Sequence, residues 1–277
     1  MAVAHGQGRG ASFTLENDIF GGQDRHYTHG LKLSLFDSSP TVFNASGWRL
    51  TVGQELYTPE DVEARDVVAT DRPFAGWAYI ELSLRWRDGE VWDEASLAAG
   101  VVGPLAQGEL THTWAHRATG STKAKGWRNQ LRDEPGFVLR YQRTFLLLKG
   151  GGAFSYDVRP TAGVAVGNVA THAALGTGFR LGWGLPWGES NPQFSFYLEA
   201  HVEVRLVAYN VFLDGNALRS GGHSVMKEAL VGRALLGVTL AISDTFSLSY
   251  THTFVTPEFS GQDGGDYFGS LSLTLYW

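Results

Sequence analysis

Carboxylate, amide and hydroxyl side chains gather near the start of this chain, in Leu15-Glu16-Asn17-Asp18-Ile19-Phe20 and Asp24-Arg25-His26-Tyr27-Thr28-His29-Gly30. Oxygen donors so clustered suit a hard cation such as calcium. A polar hairpin rim built round an ordinary Asn/Asp turn would use the same residues. A second candidate is Leu110-Thr111-His112-Thr113-Trp114-Ala115-His116-Arg117, in a stretch without Gly or Pro between 109 and 119. One or two helical turns there would put His112 and His116 on one face, at i and i+4. Such a pair can bind zinc, but the intervening Glu of the metalloprotease pattern and an obvious third ligand are missing. A single His beside a bound cation can instead act as general base toward water. A surface helix can also simply expose its histidines.

Two further segments read as structural. In Asp71-Arg72-Pro73-Phe74-Ala75-Gly76-Trp77, Pro73 precedes a strand and Arg72 can pair with Asp71, making a corner. Gly126-Trp127-Arg128-Asn129-Gln130-Leu131-Arg132-Asp133-Glu134-Pro135 reads as a loop scaffold that holds the preceding helix against the body of the protein.

The elements that must position these residues are strands. The chain has 277 residues with 35 Gly, 9 Trp, 10 Tyr and 16 Phe, a profile rich in turns and aromatics that suits an all-β protein. No apolar run approaches the roughly 20 residues of a membrane-spanning helix. A mean hydropathy of -0.12 therefore argues against a helical membrane protein without excluding a β-barrel. The net charge of -6 and the lack of a basic run give no support for nucleic-acid binding. The absence of cysteine removes disulfides, thiol catalysis and Cys-ligated zinc. Met-Ala-Val-Ala-His-Gly-Gln-Gly lacks the regions of a signal peptide, so an exported protein would begin here as a mature chain behind an added start residue.

Strands are expected near 12–19, 27–37, 47–56, 75–87, 91–102, 136–147, 152–166, 171–183, 193–207, 228–242, 245–256 and 267–277, from period-two alternation. In 194–205, Phe194, Phe196, Leu198, Ala200, Val202 and Val204 oppose Ser195, Tyr197, Glu199, His201, Glu203 and Arg205. A second face so charged suits the polar interior of a barrel whose outside is apolar; a soluble sandwich is the bland alternative. With the N-terminus placed in the periplasm, the inner links come out short, at 87–90, 149–151 and 243–244, with medium turns near 38–46 and 184–192. The outer links include the long ones, 57–74, 103–135, 208–227 and 257–266. That layout belongs to an outer-membrane barrel, here one domain over 1–277 of about twelve antiparallel transmembrane strands. Phe13 and Leu15 would face lipid and Glu16 and Asp18 the lumen; Thr28, Lys32 and Ser34 would point inward from the second strand.

The Glu-Asn-Asp start, Asp-Arg-x-Tyr-Thr-x-Gly, Asp-Arg-Pro-Phe-Ala-Gly-Trp, the His-Arg loop and Gly-Trp-x-x-Gln-Leu, taken in order with the aromatic C-terminus, resemble the outer-membrane lipid A 3′-O-deacylases. The resemblance implies a twelve-stranded, calcium-dependent barrel of the bacterial outer membrane, expected as a monomer, that removes the ester-linked acyl group at the 3′ position of lipid A in lipopolysaccharide. It makes His116 the general base. It matches Asn17, Asp18 and Thr28 to the polar residues near the metal and the developing oxyanion, with Asp18 a metal ligand and His112 and Arg72 supporting the substrate. The enterobacterial members carry Gln where this chain has His112 and an acidic residue where it has Thr122, leaving open what orients His116. Two rivals are a calcium-dependent phospholipase with a serine nucleophile, for which Ser34 is the formal candidate, and a non-enzymatic porin lined by Glu199, His201, Glu203 and Arg205.

Overall fold

The computed structural model describes residues 8–22, 25–39, 42–119, 123–186, 194–220 and 222–277. Asp24, Thr122 and parts of the turns expected at 38–46 and 184–192 lie outside them. Among the described residues the strands are β1 (Arg9–Asn17), β2 (His26–Asp37), β3 (Gly47–Thr58), β4 (Ala75–Asp88), β5 (Val91–Val102), β6 (Glu134–Phe145), β7 (Leu148–Gly151), β8 (Phe154–Gly167), β9 (Ala170–Trp183), β10 (Ser195–Asn210), β11 (Leu230–Ser243), β12 (Phe246–Val255) and β13 (Asp266–Tyr276). Every pairing is antiparallel. β1 pairs with β13, and β6 pairs with both β5 and β8, so the sheet closes on itself. β7 continues β6 along β8 after a slip in register, Thr144 facing Thr161 and Leu148 facing Val158. The two segments make one stave, and the barrel has twelve.

Alternation decides which side faces what. Phe13, Leu33, Val52 and Ile80 are register partners across β1 to β4, and all stand out from the wall at 45–56% exposure. A band of that size left in water would be very costly, so it is a surface for acyl chains. At the end carrying the short turns, Phe154, Trp183 and Phe196 form an exposed aromatic row with centroids 4.7 and 6.3 Å apart, the girdle expected where hydrocarbon meets headgroups. The inward residues are polar and paired: Ser34 with Thr51 at 2.8 Å, Lys32 with Glu16 at 2.8 Å, Arg85 with Glu94 at 2.6 Å, and Arg180 with Asp157 at 2.6 Å.

The outer end of the lumen is filled differently. Trp77, Tyr79, Val102, Val138 and Val169 pack with Val211 and Phe212 of a one-turn helix, Val211–Asp214. Asn210 caps that turn, and Phe212 stacks on Tyr57 with centroids 3.9 Å apart. Glu199, His201, Glu203 and Arg205 do alternate inward on β10, but below an apolar cluster that occupies the mouth.

Candidate active site

On β1 the parity that turns Phe13 and Leu15 outward carries Asn17 to the same exterior face. Asn17 also ends the strand. Its Oδ1 accepts the Ile19 N–H at 2.9 Å, capping a 3-10 turn over Asp18–Gly21, and its Nδ2 donates to the Thr28 carbonyl at 2.8 Å. Asp18 is buried in that turn, its Oδ2 accepting the Arg25 N–H at 2.7 Å. Glu16 points into the lumen as expected, accepting hydrogen bonds from Lys32 and the Tyr27 hydroxyl.

Thr28 departs from the expectation of an inward side chain. Tyr27 pairs with Tyr57 and His29 with Leu56, leaving Thr28 as the extra residue of a β-bulge. Tyr27 turns inward onto Phe268, 4.7 Å between centroids. The Thr28 hydroxyl instead meets that of Thr58 at 2.7 Å, on the face that Leu56 shares. One inserted residue reverses the parity beyond it, which a pattern of alternating types cannot reveal. Lys32 and Ser34, on the regular side of the bulge, do point inward.

The connection from β5 to β6 folds back over the outside of the wall. Its helix α1 (Gly108–Thr119) runs three turns, longer than the one or two expected. Glu109 in its first turn and Arg117 in its last complement the helix dipole. Gln54 of β3 donates to the Ala106 carbonyl at 2.6 Å, and Gly108 sits so close that an added Cβ would lie 2.9 Å from Trp127 and 3.0 Å from Leu56. Leu56 and Gly76 belong to the exterior parity of β3 and β4, so α1 lies against the outer surface of the barrel. Gly108, His112 and His116, four residues apart, form its buried stripe.

His112 and His116 are stacked, ring centroids 3.8 Å apart and planes 23° apart. Trp127 stands edge-on to His112 at 5.7 Å and packs on Phe74 at 5.0 Å, so the scaffold reading of its loop agrees with the packing. His112 is 2% exposed, and neither ring nitrogen has a hydrogen-bond partner among the described residues. Burial, then the fields of His116 and His29, push its imidazole down to about 3, so it is neutral at physiological pH. His29 lies between Asn17 and Leu56 in the register of β1, β2 and β3, which ties the Asn17 end of the site to the helix.

Arg72 belongs to another neighbourhood. It is fully buried inside the mouth, bonded to Glu258 at 2.7 Å and flanked by the rings of Tyr57 at 5.6 Å and Phe259 at 5.4 Å. Asp71 accepts the N–H groups of Arg72 and Glu60 and faces His26 Nε2 at 3.3 Å. Burial alone would raise the Asp71 carboxyl; the bonds from His26 and these amides hold it below its usual range instead. The structure thus brings Asn17, Thr28, His112 and His116 to the exterior at the outer rim, with Asp18 in the adjoining turn, and puts Arg72 on the lumen side of β3. Ser34 is a lumen residue whose hydroxyl is shared with Thr51. Thr58 and His29 are neighbours that type and spacing did not single out.

The donor types at Asn17, Asp18 and Thr28 fit a hard cation, being oxygen throughout with one carboxylate. No group of three or more His, Asp or Glu side chains able to hold a metal occurs among the described residues. A calcium ion there would need backbone carbonyls, water or substrate oxygens to complete its shell.

Comparison with known proteins bears on the whole chain. The family model described as outer membrane protein LpxR matches residues 1–277. Among solved structures, LpxR from Salmonella typhimurium superposes with a TM-score of 0.85 at 20% identity, covering 97% of this chain and 100% of that one. The beta domain of the Bordetella autotransporter BrkA superposes at 0.52 with 8% identity, covering 98% and 99%. No curated protein matches.

Proposed function

The chain belongs to the LpxR family of outer membrane proteins, and from that premise we propose that it is a lipid A deacylase that hydrolyses the 3′-linked acyl ester of lipopolysaccharide with His116 as general base. The observation that carries this reading is the stacked His112–His116 pair, held between α1 and the exterior wall at the outer rim. Lipid A occupies the outer leaflet, so its ester bonds lie at the depth of this face. A site on this exterior face would take its substrate from the side, without the lipid leaving the membrane.

In this reading His116 takes a proton from water as the water oxygen attacks the ester carbonyl carbon. The tetrahedral oxyanion then needs donors. Asn17 spends one Nδ2–H on the Thr28 carbonyl and keeps a second. The Thr28 and Thr58 hydroxyls share one hydrogen bond, which leaves one of their two protons to donate. These groups are fixed by the cap and the bulge before substrate arrives, the condition under which such donors stabilise a developing charge. Collapse breaks the bond to the sugar oxygen, which takes the proton back from the His116 imidazolium and leaves as the 3′-hydroxyl, freeing the carboxylic acid. The neutral, stacked His112 can share the imidazolium charge of His116 without competing for its proton. Asp18 would hold a calcium ion with backbone carbonyls, and the ion would supply Lewis-acid polarisation of the ester carbonyl.

Mass spectrometry of lipid A incubated with detergent-solubilised protein, with calcium or with chelator, tests the proposal. Calcium-dependent loss of the 3′ acyl or acyloxyacyl group, absent in His116→Ala, is the expected result. Intact lipid A from folded protein, across several lipid A structures, would overturn it.

A further inference from the structure

Helix α1 has a second face that the proposed reaction does not use. On a helical wheel Leu110 and Trp114 lie opposite the buried stripe of Gly108, His112 and His116. Leu110 is 57% and Trp114 70% exposed, and Leu105, just before the helix, is 64% exposed. The stripe rests on the outer wall, so the opposite face points away from the barrel, over a surface where Val52 and Ile80 stand 56% exposed. The helix face therefore lies on the same exterior side of the wall as the apolar band of β3 and β4, beyond Gln54, which bonds the Ala106 carbonyl. Glu109 and Arg117, also exposed, flank the apolar face along the helix. Trp beside Arg over aliphatic side chains is the composition of an element seated where acyl chains meet headgroups, the indole at the interface and the guanidinium reaching toward phosphate.

We infer that α1 is seated in the outer leaflet, with Leu105, Leu110 and Trp114 among the acyl chains of the surrounding lipid. The occupant is bilayer lipid because the patch is continuous with a surface that is already lipid-facing and has the same aliphatic chemistry. One consequence is that the helix and the wall hold the histidine pair at a depth set by the bilayer. This inference rests on the membrane seat of the barrel and not on the reaction proposed above.

The chain lacks cysteine, so a single introduced thiol can be labelled cleanly. Full-length Trp114→Cys protein, labelled with an environment-sensitive fluorophore and folded into phosphatidylcholine vesicles, is compared with Val52→Cys in the lipid band and Ala69→Cys in an exposed outer loop. Folding is confirmed by the heat-dependent shift in gel mobility that barrels display. Expected is quenching by nitroxide-labelled acyl chains within about two-fold of the Val52→Cys protein, and protection from iodide relative to Ala69→Cys. Iodide quenching like that at position 69 would overturn the inference and place the face in water. Protection from both quenchers would also overturn it, since protein and not lipid would then cover the face. The readout needs no turnover, so an inactive protein can still support the seat and an active one can refute it.

Discussion

Two buried imidazoles sit near the outer rim, one at the start of β2 and one on α1, and their surroundings differ. His26, 1% exposed, is bonded at both ring nitrogens: Nδ1 to Asp266 at 2.8 Å and Nε2 to Asp71 at 3.3 Å. Arg25 adds contacts to Asp266, Glu60 and the Asp263 carbonyl, and Phe259 packs edge-on to the ring. That network ties the outer loops to the mouth and leaves the imidazole no capacity for a ligand. His112, 2% exposed, has neither nitrogen bonded among the described residues and lies against a second histidine. A buried polar group without partners carries a cost of about 1–3 kcal/mol, which a structural role alone does not explain. The imidazole bonded at both nitrogens reads as architecture and the unbonded one as part of a site.

The largest expected break in this contrast is His116→Ala. Loss of a general base should lower kcat by about 100- to 10,000-fold, measured as lipid A product by mass spectrometry, with the gel-mobility shift of the folded barrel retained. Asn17→Ala should follow, with about a 100- to 1,000-fold loss from one missing oxyanion donor; the variant also removes the cap on Asp18, so calcium titration of the residual activity should shift to higher concentration. In the bonded cluster, His26→Phe should do the reverse. It strands Asp266 and Asp71 without their shared partner and should destabilise the outer loops by about 3–5 kcal/mol, seen as faster proteolysis of loop 59–74, while kcat of the intact fraction changes by less than about ten-fold. Wild-type kcat from a protein whose His116 is replaced, or abolished turnover in a well-protected His26→Phe, would reverse the assignment of the two regions.

The smallest effect concerns pH. Docked His112 titrates at about 3, against 6.5 for a free imidazole. Between those values the undocked helix binds more protons than the docked one, so docking strengthens as pH rises and weakens as pH falls below about 6.5. The opening equilibrium of α1, read as hydrogen exchange divided by the intrinsic exchange rate at each pH, should therefore increase by about 25-fold between pH 7 and pH 5. His112→Gln should flatten that dependence. An unchanged slope in the variant would assign the acid sensitivity to another group.

Much of the architecture was legible in the residues. Period-two alternation located all twelve staves within a few residues, because a barrel wall repeats one rule, lipid outside and polar inside, along its whole length. The longest connections fell at one end, as expected, although that end also carries the two-residue link between β8 and β9. The i, i+4 spacing also put His112 and His116 on one helical face. Three things were not legible. The bulge at Thr28 leaves no trace in residue types, since Tyr27, Thr28 and His29 are polar or amphipathic on either face. The side of the wall on which α1 lies depends on the contacts of Gly108 with Leu56 and Trp127 and of Ala106 with Gly76, residues distant in sequence from one another. Arg72 stands beside Asp71 in the chain, but its guanidinium bonds Glu258, which no local pattern announces.

Local chemistry by itself therefore determined the barrel and the residue types available for catalysis. Which of those residues share a site was decided by tertiary structure alone. The physical reason is that strand parity and helix periodicity act over a few residues and are written in neighbouring side chains. The closing of the ring, one bulge, and the docking of a helix on the outer wall are set by contacts between residues far apart in the chain.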